Sequence, residues 1–328
     1  MKDNTLTYIS INEALDQFQS QIKVKCPYAI ETGLKAMDIL TGGLFPGELC
    51  VIGARPAMGK SMFIFSIISY MVWKEIPIGL FSATDSMNVN FLSRLVSSVN
   101  NSEIPYSYEG KLRLLRDVVL DEVPLYLNCE PRMTILSLRE NATKLKKEKG
   151  IKCLFVESIQ ALFDSEENGN TREGMERICR ELKILAQELD IPIVVTSELN
   201  RSPEHREGID GTCPQLCDLR SSSAIESNAD KVLLLHRPEY YHITMDENGY
   251  DLRGIFIVIV AKNKYGSTGE VRLRFDPCKC RVIDVDGSVH DKEERDSKLK
   301  SLLEENETVQ MLTDKLGLEL DNKNNSPF

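Results

Sequence analysis

The segment LCVIGARPAMGKSMFIFSI, residues 49–67, constrains this chain more than any other feature. An apolar run, Leu49–Ala54, passes through a tight turn carrying Pro56 and Gly59 and enters a second apolar stretch that opens near Lys60. Strand, loop and helix in that order are the context a phosphate-binding loop requires. Backbone N–H groups in the turn and at the helix start present partial positive charge to phosphate oxygens. Gly59 permits close approach, Lys60 reaches the β- and γ-phosphates, and Ser61 offers its hydroxyl to Mg²⁺. The nucleotide-binding residues expected on this basis are Ala54, Arg55, Pro56, Ala57, Met58, Gly59, Lys60, Ser61 and Met62. The match to G-x-x-x-x-G-K-[ST] is imperfect, because Ala54 stands six before Lys60 and Gly53 falls one residue early. The alternative is a turn that contains Gly-Lys-Ser by coincidence, and the flanking strand and helix weigh against it.

Such a site also needs a carboxylate at the end of a neighbouring strand to hold Mg²⁺ through its water shell. The run Cys153–Val156 leads directly into Glu157, which occupies that place. The usual residue is Asp; Glu keeps the charge on a side chain one methylene longer. The alternative for Glu157 is a solvated acid at a strand end.

From Glu48 onward, short apolar runs alternate with amphipathic stretches, the pattern of an α/β chain with a mostly parallel, twisted sheet flanked by helices. Strands are expected at Leu49–Ala54, Ile78–Ser82, Leu125–Leu127, Cys153–Val156, Ile193–Thr196, Lys231–His236, Ile255–Ala261 and Glu270–Phe275. Thr134–Glu148 sets Ile135, Leu138, Ala142 and Leu145 on one helical face, and Met175–Leu189 does the same with Ile178, Leu182 and Leu185. With 42% hydrophobic and 27% charged residues among 328, the chain can bury one sizeable core, and a domain of about 250 residues with tails accounts for its length.

The charge of −10 argues against a binder that coats nucleic acid with its whole surface, but it allows a local basic stripe. No window approaches the roughly 18 uninterrupted apolar residues of a membrane span. The start, MKDNTLTYIS, lacks a basic region followed by an apolar one, so no signal peptide is expected and the cytoplasm is the default. Nine cysteines at irregular spacing read as reduced thiols. Cys213 with Cys217, and Cys278 with Cys280, lack the C-x2-C spacing of a zinc site and have no His nearby.

Residues 1–30 hold one helical signal, a capping box of Ser10 and Glu13 followed by Ala14, Leu15, Phe18 and Ile22 on one stripe. Two polar connections, Asp164–Thr171 and Asn200–Pro214, follow strands and are candidates for ligand contact. Residues 291–328 carry ten acids against six bases and read as a charged tail. The expected division is therefore 1–30 as a helix preceding the main domain, 31–288 as the main domain, and 289–328 as the tail.

With A-R-P-A-M-G-K-S in hand, the chain resembles the C-terminal, RecA-like motor domain of the bacterial replicative DNA helicase (DnaB) family, whose loop also begins with Ala. TGLKAMDILTGGLFPGEL (Thr32–Leu49) is similar to the family's entry into the first strand, and VESIQALF (Val156–Phe163) to its second nucleotide motif, with Gln160 in register. Three later blocks keep the family's order and spacing, namely ELDIPIVVTSELNRSPEHR (Glu188–Arg206), DLRSSSAIESNADKVLLLHRPEYY (Asp218–Tyr241) and IVAKNKYGSTGEVRLRF (Ile259–Phe275). The likeness covers roughly residues 30–285 and implies a RecA-like P-loop NTPase using ATP and Mg²⁺.

It further implies single-stranded DNA in the channel of a homo-hexamer, with Arg201, Arg206, Arg220, Ser221 and Ser223 as contacts. Lys262 and Lys264 would reach the neighbouring subunit's nucleotide. The family's amino-terminal, primase-interacting domain is not seen in this sequence. Ser10–Ile22 resembles the family's linker helix, and a host primase or loader is an implied partner. A helix folding back on its own chain is the alternative for Ser10–Ile22.

The departures fall on the chemistry. Where relatives carry the Glu that polarises the attacking water, this chain has Thr84, with Asp85 next to it as a substitute. Lys264 stands where relatives carry an arginine finger, and a lysine lacks the planar fork that matches phosphate oxygens. The family's Gln in S-Q-L-N-R is Glu198. Loop Asp164–Thr171 has three acids and no base before Thr171, which would repel DNA phosphates, with Arg201, His205, Arg206 and Arg220 offsetting it in part. Three readings remain open: an ATP-driven DNA translocase or helicase with weakened hydrolysis, a ring-forming nucleotide-binding scaffold or regulator of replication or recombination, and a RecA-type recombinase, which fits the core but not the A-R-P-A-M-G-K-S or S-E-L-N-R blocks.

Overall fold

The computed structural model describes Ile11 and residues 29–285, apart from 83–87, 118–122, 131, 165–170, 207–209 and 221. Ser10–Ile22 apart from Ile11, Thr84, Asp85, Ser221, most of the acidic loop and the tail thus lie outside the described residues.

Among the described residues nine strands form one sheet. They are β1 (Leu49–Ala54), β2 (Ile78–Ser82), β3 (Leu125–Asn128), β4 (Cys153–Glu157), β5 (Ile193–Glu198), β6 (Lys231–His236), β7 (Ile255–Asn263), β8 (Gly269–Asp276) and β9 (Arg281–Asp284), in the order β3-β2-β4-β5-β1-β6-β7-β8-β9. β1 through β6 pair in parallel, and β7, β8 and β9 complete the sheet as an antiparallel meander. The sheet is therefore mostly parallel on one side of β6 and antiparallel on the other. The two halves differ in sequence for a physical reason. β1, β2, β4 and β6 are buried along their whole length and read as continuous apolar runs. β8 alternates buried Val271 and Leu273 with exposed neighbours, because only one of its faces is covered. β9, a strand of four residues, has too little alternation to be expected from sequence, and it is set by pairing with β8, Leu273 opposite Asp284.

Seven α-helices among the described residues connect these strands: α1 (Lys35–Thr41), α2 (Lys60–Trp73), α3 (Val89–Asn100), α4 (Tyr108–Asp117), α5 (Ile135–Lys149), α6 (Arg172–Leu189) and α7 (Ser222–Asn228). α5 and α6 are the two covering helices expected. Thr134 caps α5 by accepting from Ser137 N, and Thr171 caps α6 by accepting from Gly174 N, so α6 starts one polar turn before Met175. Alternate β1 residues feed the two faces. Cys50, Ile52 and Ala54 pack with α2 and α3, whereas Leu49 and Val51 pack with α5 and α6. α2 is apolar nearly all round, the mark of a helix buried on most sides. Phe63 stacks on Phe256 at 5.8 Å, and Phe256 on Phe275 at 6.0 Å, tying α2 to β7 and β8. No helix among the described residues is long and apolar enough to cross a membrane.

His236 ends β6, buried and stacked on Tyr241, and burial pushes its pKa down from 6.5 to about 4. The folded protein keeps the ring neutral, whereas the unfolded chain takes up a proton first as pH falls. This group is expected to stabilise the fold fully above about pH 6.5 and to cost up to about 3 kcal/mol as pH drops to about 4. Urea midpoints of wild type and His236→Gln across that window test it: the difference between the two proteins should change with pH, and a constant difference would contradict the assignment.

Candidate functional site

The parallel strands all point their carboxyl ends the same way, and β1 has β5 on one side and β6 on the other. The connections from β1 through α2 and from β2 through α3 run over one face of the sheet, whereas those from β4 through α6 and from β5 through α7 run over the other, so a crevice opens above the carboxyl end of β1, where ligands of open α/β sheets bind. The loop after Ala54 fills the rim of that crevice. Pro56 and Ala57 form its exposed apex and Met58 is buried beneath it. Gly59 has φ of +93°, and a Cβ there would sit 3.1 Å from the rings of both Phe256 and Phe275, so any other residue at this turn is strained. With Gly59 as N-cap, no side chain among the described residues caps the first N–H groups of α2, which leaves them to an anion. Arg55 follows β1 and donates to Leu199 O at 2.9 Å, and Met62 lies in the first turn of α2.

Lys60 curls back over the loop and donates to Ala54 O at 3.0 Å. Burial holds its pKa below the ordinary lysine value, while Glu198 and then Glu157 act in the opposite direction. Ser61 Oγ donates to Glu157 Oε1 at 2.5 Å, joining the start of α2 to the end of β4. Two hard oxygen donors facing one another are a donor set suited to Mg²⁺, which takes one or two protein oxygens and completes its shell with water and phosphate. The residues present therefore fit that ion.

Gln160 lies in the short turn after β4. Its Nε2 donates to Ser197 Oγ at 2.8 Å, and its Oε1 accepts from Glu198 N at 3.2 Å and from Ser158 Oγ at 2.9 Å. Gln160 thus links the ends of β4 and β5. Two neighbours of the loop were not among the residues expected from sequence. Arg237, just past β6, donates to Ala57 O at 3.3 Å and stacks on Phe275 at 3.7 Å. Glu198, the last residue of β5, is paired in register with Ala54. The signal for both lay in their position immediately at a strand's carboxyl end.

Lys262 and Lys264 lie elsewhere. Lys231, at the opening end of β6, is paired with Asn263 between them, so both sit at the end of the sheet opposite Lys60. Lys262 Nζ donates to Glu226 O at 2.5 Å, and Lys264 Nζ is 3.6 Å from Asp230 Oδ1. Within one chain the two lysines do not join the loop. Of the expected DNA contacts, Arg201 is exposed, Arg220 pairs with Glu198 at 3.6 Å, and Ser223 is exposed in the first turn of α7. Arg206 is turned onto the buried carboxylate of Asp218.

The sequence model of the family described as "DnaB-like helicase C terminal domain" matches residues 29–283. The Replicative DNA helicase DnaB of Treponema pallidum (strain Nichols) is 34% identical over 262 residues, which cover 77% of this chain and 56% of that protein. The corresponding protein of Leifsonia xyli subsp. xyli (strain CTCB07) is 29% identical, over 84% of this chain and 60% of its own length. A "Probable plasmid replicative DNA helicase" of Chlamydia psittaci is 31% identical, over 80% and 57% respectively. The chain therefore spans less than two thirds of these curated relatives. Among solved structures, one described as an "ATPase Domain" superposes with a TM-score of 0.71 at 22% identity, covering 85% of this chain and 100% of that one. "The Structure Of A DnaB-Like Replicative Helicase And Its Interactions With Primase" gives a TM-score of 0.69 at 22% identity, covering 84% and 67%. At that identity both speak for a common fold, the RecA-like one.

Proposed function

The chain belongs to the DnaB-like helicase C-terminal domain family, and on that premise we propose that it is an ATP-binding helicase motor that moves on single-stranded DNA with slow hydrolysis. The observation that carries this reading is the meeting of Lys60, Ser61 and Glu157 above the carboxyl ends of β1 and β4. ATP takes its phosphates into the Ala54–Met62 turn, where Lys60 exchanges its bond to Ala54 O for phosphate oxygens. Ser61 and Glu157 are the residues that would hold Mg²⁺, which supplies charge neutralisation at the phosphates when bound. Gln160 keeps the ends of β4 and β5 together beneath them.

The motor spans 31–288, with 1–30 as a linker helix and 289–328 as a tail. It works as a homo-hexamer in the cytoplasm. Lys262 and Lys264, turned away from their own Lys60, reach the nucleotide of the next subunit. Arg201, Arg220, Ser221 and Ser223 contact DNA in the channel, while Arg206 is held by Asp218, and a primase or loader from the host completes the machinery. A second reading, a ring-forming nucleotide-binding scaffold of replication or recombination, is favoured by one observation: Lys264, in the finger's place, is engaged by its own Asp230.

Steady-state ATP turnover with and without an oligo-deoxythymidine strand separates the two, with light scattering in a non-hydrolysable analogue run alongside. The motor reading expects a nucleotide-favoured ring and DNA-accelerated turnover. Tight ATP binding without turnover selects the scaffold. A monomer at tens of micromolar protein contradicts both.

A further inference from the structure

Position 84 is threonine where the family resemblance implies a glutamate, and position 198 is glutamate where it implies a glutamine. Glu198 closes β5 in register with Ala54. The next residue, Leu199, donates its N–H to Ala54 O at 3.2 Å, and that same oxygen receives Lys60 Nζ at 3.0 Å. The residue that follows Glu198 and the Lys60 ammonium therefore meet at one atom, which sets the carboxyl end of β5 beside Lys60. The Glu198 side chain is 45% exposed at the carboxyl end of β5. Glu157, the other acid beside Lys60, is buried and occupied by Ser61. Among the described residues the charges that act on Lys60 are Glu198, Glu157 and Arg55, with Glu198 first among them.

Among the described residues Glu198 has one ionic partner, Arg220, 3.6 Å away and 68% exposed. Arg220 also donates its backbone N–H to Glu198 O at 3.0 Å, so the two residues stay adjacent whatever their side chains do. A glutamine at 198 could not form that ion pair. Exposed pairs of this kind are weak, worth about 0–1 kcal/mol, and a DNA phosphate is a competitive partner for the guanidinium.

We propose that Glu198 is the catalytic carboxylate of this chain, the base for the attacking water, and that Arg220 restrains it until single-stranded DNA takes Arg220 away. The inference rests on the motor reading above. In the step itself, Glu198 accepts a proton from water as the water oxygen forms its bond to the γ-phosphorus. The bond from that phosphorus to the β,γ-bridging oxygen breaks, its electron pair leaves on ADP, and the proton passes to solvent with phosphate.

Glu198→Gln is expected to lower turnover in the presence of oligo-deoxythymidine by about 10²-fold or more, the usual worth of a positioned base. Its affinity for a fluorescent non-hydrolysable ATP analogue should stay the same or tighten, since one negative charge beside the phosphates is gone. Thr84→Glu added to Glu198→Gln should recover turnover by restoring the family's arrangement. Arg220→Met should raise DNA-free turnover and shrink the increase on adding DNA. Unchanged turnover in Glu198→Gln, or loss confined to Asp85→Asn, would overturn the assignment. Arg220→Met with unchanged basal and stimulated rates would overturn the restraint. Failure of the wild type to bind the analogue would instead remove the motor reading itself, so the two failures are told apart by binding.

Discussion

Replacing Lys60 with alanine is expected to weaken ATP binding by about a hundredfold or more, at about 1.5–3 kcal/mol for each charge-assisted hydrogen bond lost to the phosphates. The fold should not change. Lys60 Nζ donates to a loop carbonyl, Ala54 O, and the packing of α2 is supplied by the residues that follow it, Phe63, Ile64, Phe65, Ile67 and Ile68, all buried. Truncating Phe63 would cost about 3–5 kcal/mol of stability, whereas truncating Lys60 removes no core contact. Titration with a fluorescent ATP analogue, alongside a thermal melt without nucleotide, separates the two effects. Equal affinity in wild type and variant would remove the phosphate site from this loop.

The second large effect runs the other way. Thr84→Glu combined with Lys264→Arg is expected to raise ATP turnover by about 10²-fold or more while changing analogue affinity by no more than about threefold. An arginine finger alone is worth about 10³–10⁵ in phosphoryl transfer, through a fork that spreads over the oxygens where charge develops. Both groups act on the transition state more than on bound ATP, so rate and affinity should part company. Ser82, the last residue of β2, is paired with Glu157, so the end of β2 lies beside the end of β4. Wild-type turnover already as fast as the double variant, with DNA accelerating both alike, would mean that the departures at 84 and 264 carry no penalty.

Much of this site is legible in the sequence. The loop, its strand and its helix follow from a continuous apolar run broken by Pro56 and Gly59, which are local signals. Eight of the nine strands lie within two residues of their expected bounds at either end, because buried parallel strands are apolar throughout and β8 alternates. α3 carries a readable signal that the expected elements did not include, with Phe91, Leu95, Val96 and Val99 on one stripe and Asn88 as cap. α1 and α7, at seven residues each, are too short for periodicity to speak.

What sequence alone determined, then, is where the strand, loop and helix suited to a phosphate lie and which carboxylate, Glu157, stands at the end of a nearby run. What only the tertiary structure decided is which side chains share that place. Ser61 meets Glu157 across 96 positions, Arg237 braces Ala57 across 180, and Glu198 pairs in register with Ala54 and reaches Arg220. Each contact depends on β4, β5, β1 and β6 lying in that order with their carboxyl ends together. Periodicity reports which face of an element is buried, but it carries no information on which element becomes the neighbour. The same order sends Lys262 and Lys264 to the end of the sheet opposite Lys60.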